Sequence, residues 1–197
     1  MRIDNALFVD AQGIYASRRI LLSKTAISGT IAQVDFTFPD GFESFEIWAK
    51  NVLVDTDDVT LQVRLSDDYA TTFKSGATNY EYARLGSTAV EGQQIINGST
   101  GAALIDLGHT TAALAIGNAS GEGIAGLRLI VNNPHSTTMA AMVTGQHWYL
   151  NATTADPTAI RFFGQLIALT RISGIRFMLE SGSFTSGLFH LYGITGA

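Results

Sequence analysis

The sequence predicts an all-β protein, a single domain over residues 1–197 folded as an antiparallel two-sheet β-sandwich, jelly-roll-like, with about ten strands and little helix. Three observations lead there. Apolar and polar residues alternate over short stretches, the period of a strand with one buried face. Turn signals built on Gly, Pro, Asn and Asp separate these stretches at regular spacing. No long segment carries apolar residues at three-and-four spacing between caps, and the chain is rich in Thr, Gly and β-branched residues, which disfavour helix.

Residues 1–20 read as an N-terminal arm. Asp4 and Asp10 fall where a secretory leader would be apolar, so the start is not read as a signal peptide. In AQVDFTF (32–38), Val34, Phe36 and Phe38 alternate with polar residues before a Pro39-Asp40-Gly41 turn. FEIWAKNVLV (45–54) follows. In VTLQVRLS (59–66), Val59, Leu61, Val63 and Leu65 face one way and Thr60, Gln62, Arg64 and Ser66 the other, predicting a strand with a polar outer face. Further strands are read at 80–85, 103–107, 124–131, 139–150, 160–169, 174–180 and 187–194. Residues 86–123, where Gly, Ser, Thr, Ala and Asn interrupt short apolar pieces, read as a long excursion. Two strands are apolar on both faces. In 160–169, Ile160, Phe162 and Leu166 oppose Phe163, Ile167 and Leu169; in 187–194, Leu188, His190, Tyr192 and Ile194 oppose Phe189, Leu191 and Gly193. A two-layer sandwich covers only the inner face of each sheet, so the outer face of these strands calls for a second subunit. Leu188, Phe189, Leu191, Tyr192 and Ile194 are therefore the expected oligomer interface.

Composition removes several classes of function. The 12 basic and 17 acidic residues give a net charge of −5, without the excess of cations that phosphate-backbone binding uses, so no nucleic-acid partner is expected. The longest greasy run, 160–172, is interrupted by Arg161, Gln165 and Arg171 and is too short to span a bilayer as a helix; no membrane insertion is expected. Zero cysteines exclude disulfides and thiolate chemistry. Only 15% of residues are charged against 46% apolar, few ions with which to coat a surface, which suggests that part of it is hidden in an assembly.

Catalytic signatures fail on context. Gly121-Glu-Gly123-Ile-Ala-Gly126 has dinucleotide-loop spacing, but the LRLIV that follows is a strand, where the pyrophosphate site needs a helix. His109, His135, His147 and His190 show no zinc-ligand spacing. No G-x-S-x-G elbow is present. Asp55, Asp57 and Asp58 lie at one end of a strand and Asp67 and Asp68 at the other, some 25 Å apart at about 3.3 Å per residue, and read as solvated turn acids. No metal, no cofactor and no catalytic residue is assigned, and the chain is read as non-enzymatic. The aromatic residues leave an alternative open. Trp48 shares its strand face with Glu46 and Lys50, where an indole serves either a subunit contact or a sugar platform. Trp148 and Tyr149 are read in the same way, with core packing as the alternative.

Three segments together resemble small β-sandwich virion proteins of bacteriophages, from tails, fibres or heads. They are Phe36 to Tyr82, a strand, an aromatic-rich strand and then VTLQVRLSDDYATTFKSGATNYEY, with GLRLIVNNPHSTTMAAMVTG (126–145) and ISGIRFMLESGSFTSGLFHLYGI (172–194). The motifs are turns and alternating strands. Tyr69-Ala70-Thr71 departs from them, since the similar proteins are glycine-rich in that loop. The resemblance implies a structural protein, made in the host cytoplasm and built into the virion as a homo-oligomer among other virion proteins, as tail, fibre or head decoration. The alternative is a host-attachment module that recognises a surface glycan through Trp48, Trp148 or Tyr149.

Overall fold

The computed structural model describes residues 19–89, 94–108, 115–153 and 155–196. Residues 1–18 of the N-terminal arm, and His109, lie outside them; Arg19 and Ile20 of the arm open the first strand. Twelve strands are described: β1 (Arg19–Ile31), β2 (Gln33–Thr37), β3 (Ser44–Val54), β4 (Leu61–Ser66), β5 (Tyr80–Thr88), β6 (Gln94–Ala102), β7 (Ile105–Asp106), β8 (Gly123–Asn132), β9 (Met142–Leu150), β10 (Pro157–Leu166), β11 (Gly174–Leu179) and β12 (Phe184–Ile194). The described residues include no helix. All pairings are antiparallel, in two sheets of unequal width: eight strands in the order β1-β12-β3-β8-β9-β10-β5-β6, and four in the order β2-β11-β4-β7. Only β5–β6, β8–β9 and β9–β10 are joined within one sheet, so every other connection crosses between layers and ties them together.

The core follows from strand alternation. Phe45, Ile47 and Ala49 of β3, Phe189 and Leu191 of β12, and Ile160, Phe162 and Leu166 of β10 point inward from the large sheet; Leu61, Val63, Leu65, Ile175, Phe177 and Leu179 meet them from the small one. Aromatic rings fill the space between. Phe38 stacks on Phe45 at 4.3 Å between centroids, and Phe189 meets Phe177 at 5.4 Å and Phe184 at 5.9 Å. Each ring removes roughly 150–250 Å² from water.

Ten strands fall where alternation placed them, and two lie elsewhere. β1 was read partly as arm, and β6 lies within the expected excursion. In VTLQVRLS the polar side is also largely covered: Thr60, Gln62 and Ser66 are buried. The Ser66 hydroxyl donates to Asp68 at 2.6 Å and accepts from the Ala70 amide at 3.1 Å, so that face ties down the next loop. There Tyr69 and Ala70 have φ of 59° and 64°, a left-handed conformation that costs a residue with a Cβ about 1–2 kcal/mol and that glycine adopts freely. The two bonds to Ser66 and one from the Tyr69 amide to Ser173 Oγ, 2.6 Å, hold it.

Phe189 and Leu191 were assigned to an oligomer interface, but they lie 0% and 2% exposed in the chain's own core. β12 is the second strand of the large sheet, between β1 and β3, so removing it dismantles the fold itself. Leu188, Tyr192 and Ile194 are half-buried on its outer side. Phe189→Ala is therefore expected to lower unfolding stability by about 3–5 kcal/mol, the range for truncating a core phenylalanine, and Tyr192→Ala by much less, as urea denaturation of the two variants will show.

Candidate functional site

Strand register assembles one surface that no sequence segment contains, the outer face of the eight-stranded sheet. A single row across it reads Lys24, His190, Trp48, Arg128, Gln146, Arg161, Leu85 and Ile96, each opposite the next. The row runs from basic and aromatic to apolar, and the whole face divides in the same way.

The basic half is built on β1, β12, β3 and β8. Glu46 is 4% exposed and accepts from Arg19 at 2.9 Å and Arg128 at 2.5 Å. The two guanidinium groups then lie 5.4 and 5.6 Å from the Trp48 ring, and Arg19 also lies 3.8 Å from Tyr192, within cation–π range. The indole is thus occupied by two cations and is not an open sugar platform; its Nε1 is buried without a hydrogen-bond partner. Lys24 and Lys50 are exposed and form no ion pair among the described residues. His190 feels this field: partial burial first, then Lys50, Lys24 and Arg19, push its pKa below the usual histidine value. Four cations against one carboxylate make this half positive on a chain of net charge −5.

Trp148 and Tyr149 cannot act together, because neighbours on a strand point to opposite faces. Tyr149 is in the core, 1% exposed, which corrects its assignment to a glycan site. Trp148 is 38% exposed on the outer face, and its ring lies directly against Gly126, where a Cβ would collide with it. Gly126 is the residue opposite Lys50. An aromatic surface and a free cation therefore stand side by side, and alternation within β3 and β9 could not reveal that pairing.

The apolar half, on β9, β10, β5 and β6, exposes Phe163, Leu85, Ile96 and Met142. Arg161 and Glu81 are its charged residues among the outward positions described. Beside Phe163 a recess of about 270 Å³ opens over Ala83 and Gly164, with Met142 on one side and Ser99 and Thr100 on the other.

Inside the sandwich, Arg84, Asp106 and His147 form a polar group. Arg84 Nη1 bonds Asp106 Oδ2 at 2.7 Å, and the His147 Nε2–H donates to the Leu107 carbonyl at 2.7 Å, an assignment fixed by the carbonyl being an acceptor only. Arg84 is 2% exposed and His147 0%. Arg84 and His147 are closed to solvent, Asp106 is 13% exposed, and both bonds run from the large sheet to the small one, so the group ties the layers together. The acidic turns are likewise engaged: Asp68 accepts from Ser66, the Thr72 amide and the Thr72 hydroxyl, which takes its pKa down to about 2. Asp55 and Asp57 accept from the amides of Ser183 and Asn118. Among the described residues no cluster of His, Asp and Glu has metal-binding geometry. No family model, curated protein or solved structure matches the chain.

Burial holds the His147 pKa at about 4, opposed by its bond to the Leu107 carbonyl and reinforced by Arg84. The unfolded chain then takes up a proton near pH 6.5 that the folded protein refuses until about pH 4. Stability is full above pH 6.5 and falls as pH drops toward 4, by about 3 kcal/mol in total at 1.36 kcal/mol per pH unit. Urea midpoints between pH 7.5 and 5 should show this decline. His147→Gln should reduce the slope, leaving the part due to His135 and His190, whose pKa values burial also lowers; an unchanged slope would remove His147 as its source.

Proposed function

We propose that the chain is a non-enzymatic structural protein of a bacteriophage particle, built into a tail, fibre or capsid as a homo-oligomer. Its support is the resemblance in three segments, together with the two-sheet fold on which they lie. The motif residues do turn and strand work: Ser66 and Asp68 close the loop after β4, Asn133 bends the β8–β9 connection at φ 52°, and Gly187 sits in a bulge at φ 141°, pressed on Val52. The observation that carries the assembly part of the reading is the outer face. Phe163, Leu85 and Ile96 are 56%, 56% and 76% exposed on a protein whose core is otherwise closed, and exposed apolar patches of this kind mark interaction surfaces. Mass spectrometry of gradient-purified phage particles from the genome that encodes this chain should find it at fixed stoichiometry with the other virion proteins. Its absence from intact particles would overturn the assignment.

The alternative, a host-attachment module, has its own observation in the pairing of Trp148 with Lys50. A half-exposed indole beside a free ammonium suits a carboxylate-bearing sugar, with the ring taking the apolar face and the cation the charge. Calorimetry against a uronic-acid polysaccharide should then show binding that weakens at least about tenfold, the effect of losing a contact worth about 1.4 kcal/mol, in Trp148→Ala and in Lys50→Gln. Equal binding of neutral dextran, or none to either polymer, would remove this reading.

A further inference from the structure

We propose that the apolar half of the outer face is the docking site for a second copy of this chain, the two copies being related by a two-fold axis that runs along the strands between β10 and β5. This deepens the assembly reading above and rests on it.

Two features point to a second copy. The first is area. Taking about 200 Å² for a fully exposed large side chain, Phe163, Leu85, Ile96 and Met142 at 56%, 56%, 76% and 40% exposure present roughly 450 Å². A standard interface removes about 800 Å² per partner, so four side chains supply more than half. The second is shape. Phe163 stands directly opposite Ala83 in the register, and Ala83 opposite Gly98, so a protruding ring adjoins the recess over Ala83. A two-fold axis between β10 and β5 exchanges these positions and sets the ring of each copy into the recess of the other. Such self-complementarity is the requirement of an isologous contact. The same operation lays Met142 near Thr100 and the stem of Arg161 along Leu85.

Charge selects this axis over the other arrangement of stacked faces. An axis perpendicular to the strands would superimpose the basic half of one copy, with Arg19, Lys24, Lys50 and Arg128 against Glu46 alone, on that of its partner, placing like charges together. An axis along the strands moves the two basic halves to opposite sides, beyond the β6 edge of the other copy. The surfaces that remain in contact carry Arg161 and Glu81, one charge of each sign.

Sedimentation velocity of the full chain from low to high micromolar concentration, with Phe163→Glu, Leu85→Glu and Lys24→Glu, tests the proposal. The expected result is a wild-type dimer, retained in Lys24→Glu, with the dissociation constant raised at least about 100-fold in the two face variants, since each buries an unpaired carboxylate. Circular dichroism and thermal midpoints show whether those variants fold. If either does not, Ala83→Arg, which fills the recess from an outward position, takes its place with the same expected loss. A wild-type monomer throughout would overturn both this site and the assembly reading. A wild-type oligomer that survives Phe163→Glu, Leu85→Glu and Ala83→Arg would overturn this site alone, and self-association through another surface, such as the β6 edge, would take its place.

Discussion

An eight-stranded sheet backed by four strands has more face than the described residues cover. The small sheet shields the inner side of the middle strands, where Phe38, Phe45, Phe177, Phe184 and Phe189 pack, and β1 and β6 extend past it at the two ends, largely exposed. Among the described residues the outer side has no second layer. The proposed assembly face follows from that mismatch. The molecule's core is closed, Arg84 and His147 are buried, Asp55, Asp57 and Asp68 accept hydrogen bonds from nearby loops, and the surface left over is one broad sheet face.

That face is divided by charge, and the division makes one surface usable for two purposes. On β1, β12, β3 and β8 a single buried carboxylate, Glu46, organises Arg19 and Arg128 around Trp48, and Lys24 and Lys50 remain free to meet an anion. On β9, β10, β5 and β6 the outward residues are apolar, small or uncharged polar, Gln146 and Gln165 among them, with one charge of each sign. The edges differ in the same sense. β1 carries Arg19 and Lys24 and is broken by two register shifts, devices that discourage pairing with another strand. β6 has neither charge nor proline over its nine residues, so the apolar half is also the side on which this protein does least to repel a neighbour.

Much of this was legible in the sequence. Alternation located the strands that line the core, and it showed 160–169 to be apolar on both faces, of which the structure turns Phe163 outward. Where reading failed, the causes are physical. β1 escaped because its bulges shift the alternation partway along, so that Ile20, Leu21 and Leu22 do not continue in phase with Ile27. β6, QIINGSTGA, escaped because Asn97-Gly98 signals a turn, whereas an edge strand has one side free and tolerates such residues. Phe189 and Leu191 were misplaced at an interface because a period of two cannot say which face of a two-sided strand meets the small sheet. The site was beyond reach for a related reason: Trp148 beside Lys50, or Phe163 beside Ala83, depends on register between strands far apart in sequence, which local pattern does not fix.

The account stands or falls on whether the outer face of β10 and β5 is covered when copies meet. Hydroxyl-radical footprinting of dilute and concentrated protein reads this side chain by side chain. Oxidation of Met142 and Phe163 should fall several-fold as concentration rises, with Tyr69, exposed on the loop after β4 in the other layer, unchanged as the internal control. Undiminished oxidation of Met142 and Phe163 in a sample that sedimentation shows to be associated would contradict it.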